Sequence, residues 1–203
     1  MFISIGIDED GRPYITTSDG SREKVVRKGK GKSVIDFPST YTVLDIETTG
    51  LDPRYCEIIE ISAMKYSSGQ NIGTFSTLVK PSEPIDEYIT SLTGITNDML
   101  KSAPDISETM QKFYNFVGSD LIVGYNVNFD INFLYDNLLN CRSLILSNSF
   151  IDVMRIARKI LPGLKNHKQP LPIITEFLPP ALIGRPLIVK YATPFLKNCK
   201  PIF

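Results

Sequence analysis

Asp45 and Glu47 stand two residues apart, where the apolar run Tyr41-Thr42-Val43-Leu44 gives out into the turn Thr48-Thr49-Gly50. Side chains in a strand alternate faces, so the two carboxylates point the same way while Leu44 and Ile46 point to the opposite face. Like charges that close repel unless something cationic lies between them. Oxygen ligands of this kind suit a hard divalent ion, so the pair is a candidate site for Mg²⁺ or Mn²⁺ rather than Zn²⁺. Further along, Gly124-Tyr125-Asn126-Val127-Asn128-Phe129-Asp130 forms a second group of interest. A short apolar strand ends at Gly124, and the turn and helix start after it deliver Asn126 and Asp130, a common place for a site in α/β proteins. Taken alone, Asp130 fits equally well as a surface carboxylate stabilised by the dipole of a helix start. The acidic pair upstream favours a shared site.

The elements that must position these residues can be read from periodicity. Phe2 to Ile7 and Tyr14 to Thr17 read as two short strands joined by a turn around Asp10-Gly11. Runs over Tyr41 to Ile46, Ile58 to Tyr66 and Thr74 to Val79 read as an antiparallel meander, with a hairpin signal at Ser67-Ser68-Gly69-Gln70. Asp105 is placed to cap a helix through Val117, with Ile106, Met110, Phe113 and Phe116 on one face. Leu121 to Gly124 is apolar throughout, as a buried parallel strand should be. Asn128 to Leu139 is amphipathic, Ser149 to Asp152 reads as a strand, and Val153 to Leu161 as a helix stopped by Pro162-Gly163. Asp152 is expected to cap that last helix. The fold class is therefore α/β: a mixed sheet, made of an antiparallel three-strand meander plus parallel strands, flanked by helices and preceded by a small β hairpin.

The chain has 203 residues, 42% hydrophobic and 22% charged, enough for one α/β domain with a small appendage. No apolar run approaches the ~20 residues of a membrane span, and the first residues lack a basic segment followed by a cleavage site, so a soluble, cytoplasmic protein is expected. Cys56, Cys141 and Cys199 are distant and odd in number, which argues for reduced thiols over a disulfide framework or a zinc site. The zero net charge is unevenly distributed. Residues 21–32 carry six Lys/Arg against one Glu, residues 155–203 nine against Glu176 alone, and residues 33–154 six against sixteen Asp/Glu. An acidic centre with basic flanks suits a metal site whose anionic substrate is gripped from the edges; a solvated linker at 21–32 accounts for that segment equally well. The division expected is a hairpin over 1–20, a basic linker over 21–37, a main domain over 38–168 and an aberrant tail over 169–203.

Several ordered blocks resemble the DEDDh (DnaQ-like) branch of 3′–5′ exonucleases, most of all the proofreading epsilon-subunit type of bacterial DNA polymerase III, with its RNase H-like fold. Asp45-Ile46-Glu47-Thr48-Thr49-Gly50-Leu51 resembles the family's first motif, Glu57 to Ala63 its second strand, and Leu92-Thr93-Gly94-Ile95-Thr96 its substrate-side turn. Asn126 to Asp130 resembles the second motif and Leu161 to Lys168 the approach to the third. The resemblance implies hydrolysis of DNA phosphodiester bonds at a single-stranded 3′ end by two Mg²⁺ or Mn²⁺ ions, in replication, proofreading or repair, with a DNA polymerase as candidate partner and no small-molecule cofactor. Asp45, Glu47 and Asp130 would be metal ligands; Thr48, Thr49, Gly50, Gly94, Ile95, Asn126 and Phe129 would contact the terminal nucleotide. Core packing is an equal reading of Phe129.

The chain departs from the family at its third motif, a His followed five positions later by an Asp, which serve as general base and last metal ligand. His167 is the one histidine, Pro172 stands five positions on, and no Asp follows Asp152. Prolines at 170, 172, 179, 180, 186, 194 and 201 crowd the region where the fold needs helix. Codons shifted by one base permit His from Leu182-Ile183 and Asp from Ile188, spelling His-Arg-Ala-x-x-Asp-Cys at the family spacing. Two accounts stand: a frame change near residues 166–169, or divergence to a catalytically inactive nucleic-acid- or polymerase-binding module. Either way, hydrolysis by the chain as written is expected to be impaired.

Overall fold

A computed structural model describes residues 3–7, 13–17, 25–36 and 38–160. His167 and the tail over 169–203, with the shifted third motif, lie outside the described residues. β1 (Ile3–Ile7) and β2 (Pro13–Thr17) pair antiparallel, with Ile5 opposite Ile15, as a two-stranded sheet. The main sheet begins with β3 (Thr40–Thr48), followed by β4 (Ile58–Ser67) and β5 (Gln70–Leu78). Helices α1 (Glu87–Thr93), α2 (Asn97–Leu100) and α3 (Ile106–Val117) come next, then β6 (Leu121–Gly124), α4 (Asn128–Arg142), β7 (Phe150–Asp152) and α5 (Val153–Ile160). The strand order is β5-β4-β3-β6-β7; β3, β4 and β5 run antiparallel as a meander, while β6 and β7 pair parallel to β3 and to each other.

β3 is central, and its alternation decides both layers of the fold. Leu44 and Ile46 face α3 and α4 and join Met110, Phe113, Ile131 and Leu134 in the larger core cluster. Tyr41 and Val43 face the other way, against Met64, Tyr66, Val123, Ile151 and the partly buried Ile156 of α5. Asp45 and Glu47 continue this second face toward the end of the strand, where both are half-buried. α3 starts as its sequence requires: Asp105 accepts a hydrogen bond from the Glu108 N–H at 2.8 Å, satisfying one of the orphan donors of the first turn. The hairpin signal also holds, since Ser68 and Gly69 take positive φ between β4 and β5. β5 starts earlier than its apolar pattern indicates, at Gln70, because its first residues are exposed and pair by backbone alone.

The segment read as a basic linker is docked on the domain. Its backbone borders β7: the Val34 N–H donates to the Phe150 carbonyl at 2.8 Å, and the Phe150 N–H donates to the Lys32 carbonyl at 2.9 Å. Arg27 makes a two-pronged ion pair with Asp136 of α4, at 2.7 and 2.6 Å, with the two side chains 10% and 19% exposed. The Tyr135 hydroxyl donates to the Lys28 carbonyl at 2.6 Å. Gly31 is dictated by the close approach of two segments, since a Cβ there would lie 1.7 Å from the Asn148 carbonyl oxygen. Charge-rich composition points to a solvated linker because charge is normally solvated; here Arg27 finds a carboxylate 109 residues away in sequence. Among the described cysteines, Cys56 and Cys141 are half-buried free thiols.

The larger cluster carries the stability of the two-layer arrangement. Phe113 has no exposed surface and meets Phe75 edge-on, with ring centroids 6.0 Å apart. Phe113→Ala leaves a cavity between sheet and helix layer and should cost about 3–5 kcal/mol. Chemical denaturation read by circular dichroism checks this; a loss below about 1 kcal/mol would mean that the site collapses and that α3 is not held as described.

Candidate functional site

β6 stays in register with β3 only to the pair Val43 and Val123, and its last residue, Gly124, pairs with Asp152 of β7. Gly124 must be glycine, because a Cβ would lie 2.7 Å from the Leu44 carbonyl oxygen and 2.8 Å from a Val127 methyl. Beyond it the chain turns away, and β3 continues without that neighbour. The Ile46 N–H is taken by Asp130, whose Oδ1 accepts it at 3.0 Å inside the protein. A helix carboxylate thus stands where a strand carbonyl would have been. Asp130 is 5% exposed on the first turn of α4.

Its electrostatics follow from that position. Burial pushes the Asp130 carboxyl well above the usual carboxylate range, and the charge of Asp45 pushes it further; the N–H groups of Asp130 and Ile46 pull it back, and the charge of Asp152 adds to the rise. Asp45 and Asp130, far apart in sequence, therefore act on each other across the end of β3. Glu47 lies two positions along the same strand face, about 6.6 Å further on by strand rise. Among the described residues, no three His, Cys, Asp or Glu side chains are gathered as a metal-holding group. The expected trio of Asp45, Glu47 and Asp130 is thus represented by the close relation of Asp45 and Asp130, with Glu47 following on the same strand. The donors suit a hard divalent cation in type, being carboxylate oxygens with one of them buried.

The turn after β3 is held by its own hydroxyls. Thr48 Oγ1 donates to the Gly50 carbonyl at 2.7 Å, while Thr49 Oγ1 accepts the Glu57 N–H at 2.9 Å and the Thr49 N–H donates to the Glu57 carbonyl at 2.9 Å. Thr49 therefore keeps its hydroxyl proton to offer, whereas Thr48 has directed its own to Gly50. Gly50 packs against the Cys56 thiol, which fills the space where a Cβ would be.

Asn126 takes a left-handed backbone with φ of 56°. Its carbonyl accepts the Phe129 N–H at 2.9 Å, closing the turn into α4. Phe129 is half-buried, tilted on Phe133 with centroids 4.9 Å apart, so one side of its ring serves the core. Gly94 and Ile95, expected to contact the terminal nucleotide, lie at the corner between α1 and α2. Gly94 ends α1 with φ of 76°, and Ile95 is 3% exposed in a third cluster with Ile59, Ile85, Ile89 and Leu100. The apolar Ile95 is buried by the corner between α1 and α2, where its side chain stabilises the fold.

Asp152 does more than cap. Its Oδ1 accepts the Met154 N–H at the start of α5 and also the Asn126 N–H, both at 3.1 Å. Burial raises its carboxyl, and the N–H groups of Arg155, Asn126 and Met154, together with the charge of Arg155, work against the rise. The second bond could have been suspected from the coincidence of a strand-end Asp with an Asn-bearing turn after the neighbouring strand.

The burial of Asp130 yields a prediction with a definite sign. A carboxyl whose folded pKa is raised binds its proton more tightly in the folded state, so its contribution to stability falls as pH rises from its unfolded value through the folded one. Asp130→Asn keeps an acceptor for the Ile46 N–H and removes the buried charge. Its midpoint of thermal unfolding without metal at pH 7 should exceed that of the parent by at least about 2 °C. Differential scanning calorimetry checks this, and a lower midpoint would contradict the stated electrostatics.

Known proteins resemble this chain in sequence and in fold. Residues 42–179 match the Exonuclease family model. PolC-type DNA polymerase III of Bacillus subtilis (strain 168) is 39% identical over 132 residues, covering 64% of this chain and 9% of that protein. The corresponding protein of Caldanaerobacter subterraneus subsp. tengcongensis is 37% identical over 169 residues, or 83% and 11%. The chain thus spans about a tenth of the length of these curated relatives. Among solved structures, apo Exonuclease I superposes with a TM-score of 0.53 at 21% identity, covering 63% of this chain and 32% of that one. E. coli Exonuclease I in complex with a dT13 oligonucleotide gives 0.52 at 22% identity, covering 64% and 32%.

Proposed function

Because this chain belongs to the exonuclease family, in its DnaQ-like 3′–5′ branch, we propose that it is an exonuclease domain acting on single-stranded DNA from the 3′ end, with Asp45, Glu47 and Asp130 as its divalent-metal ligands. The observation that carries the reading is the buried Asp130 carboxylate, anchored to the Ile46 N–H and acting electrostatically on Asp45. Two Mg²⁺ or Mn²⁺ ions at such a site would activate water for attack and stabilise the leaving oxygen.

The chain's own residues have separate tasks. Asp130 is immobilised by its backbone bond, so it needs little reordering to serve as a ligand. Asp45 and Glu47 present oxygen donors from the same strand face. Thr49 offers a hydroxyl proton beside them, and Asn126 and the free side of Phe129 shape the space for a terminal nucleotide. DNA is favoured as substrate because the relatives are DNA polymerases and Exonuclease I is described in complex with DNA oligonucleotides. The relatives carry the matching segment within a PolC-type chain, which favours a polymerase as partner and a PolC-type rather than an epsilon-type likeness.

Hydrolysis should be slow. No Asp follows Asp152, and the only histidine, His167, lacks an Asp five positions on. Loss of a general base alone typically removes 10²–10⁴-fold, so roughly that deficit is expected against an intact member of the family. The missing motif also supports a second reading, a non-catalytic module that binds nucleic acid or polymerase. A Mn²⁺-dependent assay on 3′-labelled single-stranded DNA separates the two. Slow hydrolysis abolished by Asp45→Ala supports the enzyme; oligonucleotide binding with no metal-dependent hydrolysis supports the module and overturns the enzymatic proposal.

A further inference from the structure

Helix α4 carries Asp130 but begins without the usual cap. Val127 precedes it in a helical conformation and offers no side-chain acceptor, so the turn from Asn126 leads straight into the helix. Lys30 lies against this start. Its Nζ donates to Asn128 Oδ1 at 2.7 Å and to Asn132 Oδ1 at 2.5 Å, bridging two residues one helical turn apart, and sits 5.6 Å from the Phe150 ring centroid.

Helix polarity cannot explain the placement, because a cation is favoured at a helix C-terminus and disfavoured at its N-terminus. Burial and the neighbouring Arg27 lower the Lys30 pKa to about 8, against the opposing pull of Asp136. The ammonium is nevertheless fixed from several sides. Arg27 holds one end of the segment to Asp136, Tyr135 holds the Lys28 carbonyl, and Val34 joins the edge of β7. Gly31 allows the close approach on which these contacts depend.

We propose that residues 27–34 are a positioning strap for α4, and that Lys30, by bridging Asn128 and Asn132, fixes the helix start from which Asp130 reaches β3. Lys30 is a positioning residue and does not itself touch the reacting atoms. The catalytic consequence rests on the metal-ligand reading of Asp130; the mechanical claim stands apart from it.

Hydrogen exchange on the full chain tests the mechanical claim. In Lys30→Met, which keeps the apolar stem and removes both hydrogen bonds to α4, the amides of Phe129 to Asn132 should exchange about tenfold faster, while those of α3 remain unchanged. Lys30→Arg supplies two donors again and should bring exchange to within about threefold of the parent. Unchanged exchange at the start of α4 in Lys30→Met would overturn the proposal; so would equal acceleration in α3, which would mark Lys30 as a general stabiliser. Mn²⁺-dependent hydrolysis provides the second arm: kcat should fall about tenfold in Lys30→Met with KM little changed, and recover in Lys30→Arg. Loosened exchange with parental kcat would sever the strap from the site. A parent with no Mn²⁺ response would count against the metal reading, while the exchange results would still decide the strap.

Discussion

One hydrogen bond, from the Ile46 N–H to the Asp130 carboxylate, joins the logic of the sheet to that of the site. A central strand needs partners on both sides, yet a site at its end needs one neighbour to withdraw. β6 withdraws after Val123, and a side chain from the following helix replaces the missing carbonyl. This keeps a buried backbone donor satisfied and sets a carboxylate beside Asp45 in the same step. The interaction that completes the sheet is therefore also the one that assembles the acidic centre.

Everything nearby is subordinate to getting that carboxylate into place. Gly124 lets the end of β6 press against the Leu44 backbone, and Asn126 turns sharply enough for α4 to begin at once. Asp152 holds the turn by its N–H while starting α5, so the end of β7 participates as well. The resulting site has a cost, because Asp130 is buried next to like charge. Such a conflict is expected where a protein gives up local stability for function, and a divalent cation would resolve it.

How much of this was readable in the sequence depended on the range of the interaction. The meander followed from apolar alternation and the Ser68-Gly69 turn, and α3 from Asp105 followed by a periodic apolar face; both signals lie within a few residues. Asp45 is readable as a candidate because it ends an apolar run, and Asp130 because the turn and helix start after Gly124 deliver it. Their mutual influence depends on strand order, which pairs β3 with β6 across dozens of residues. α1 leaves no periodic signal in the sequence, because its seven residues bury only Ile89. The burial of Ile95 has no local signal either, because it depends on Ile59 and Leu100 from other elements. The basic segment was hardest to read: composition gives the charges but not the distant Asp136 and Asn132 that receive them.

That docked segment changes where the folding unit can sensibly be cut. Boundaries drawn from family motifs would start near residue 38 and treat everything before it as disposable tether. A domain excised there would expose the Phe150 edge and leave Asp136 without Arg27. Portability, whether for fusing the domain to another protein or for expressing it alone, is thus limited by a dozen residues that resemble spacer in composition and behave as part of the body.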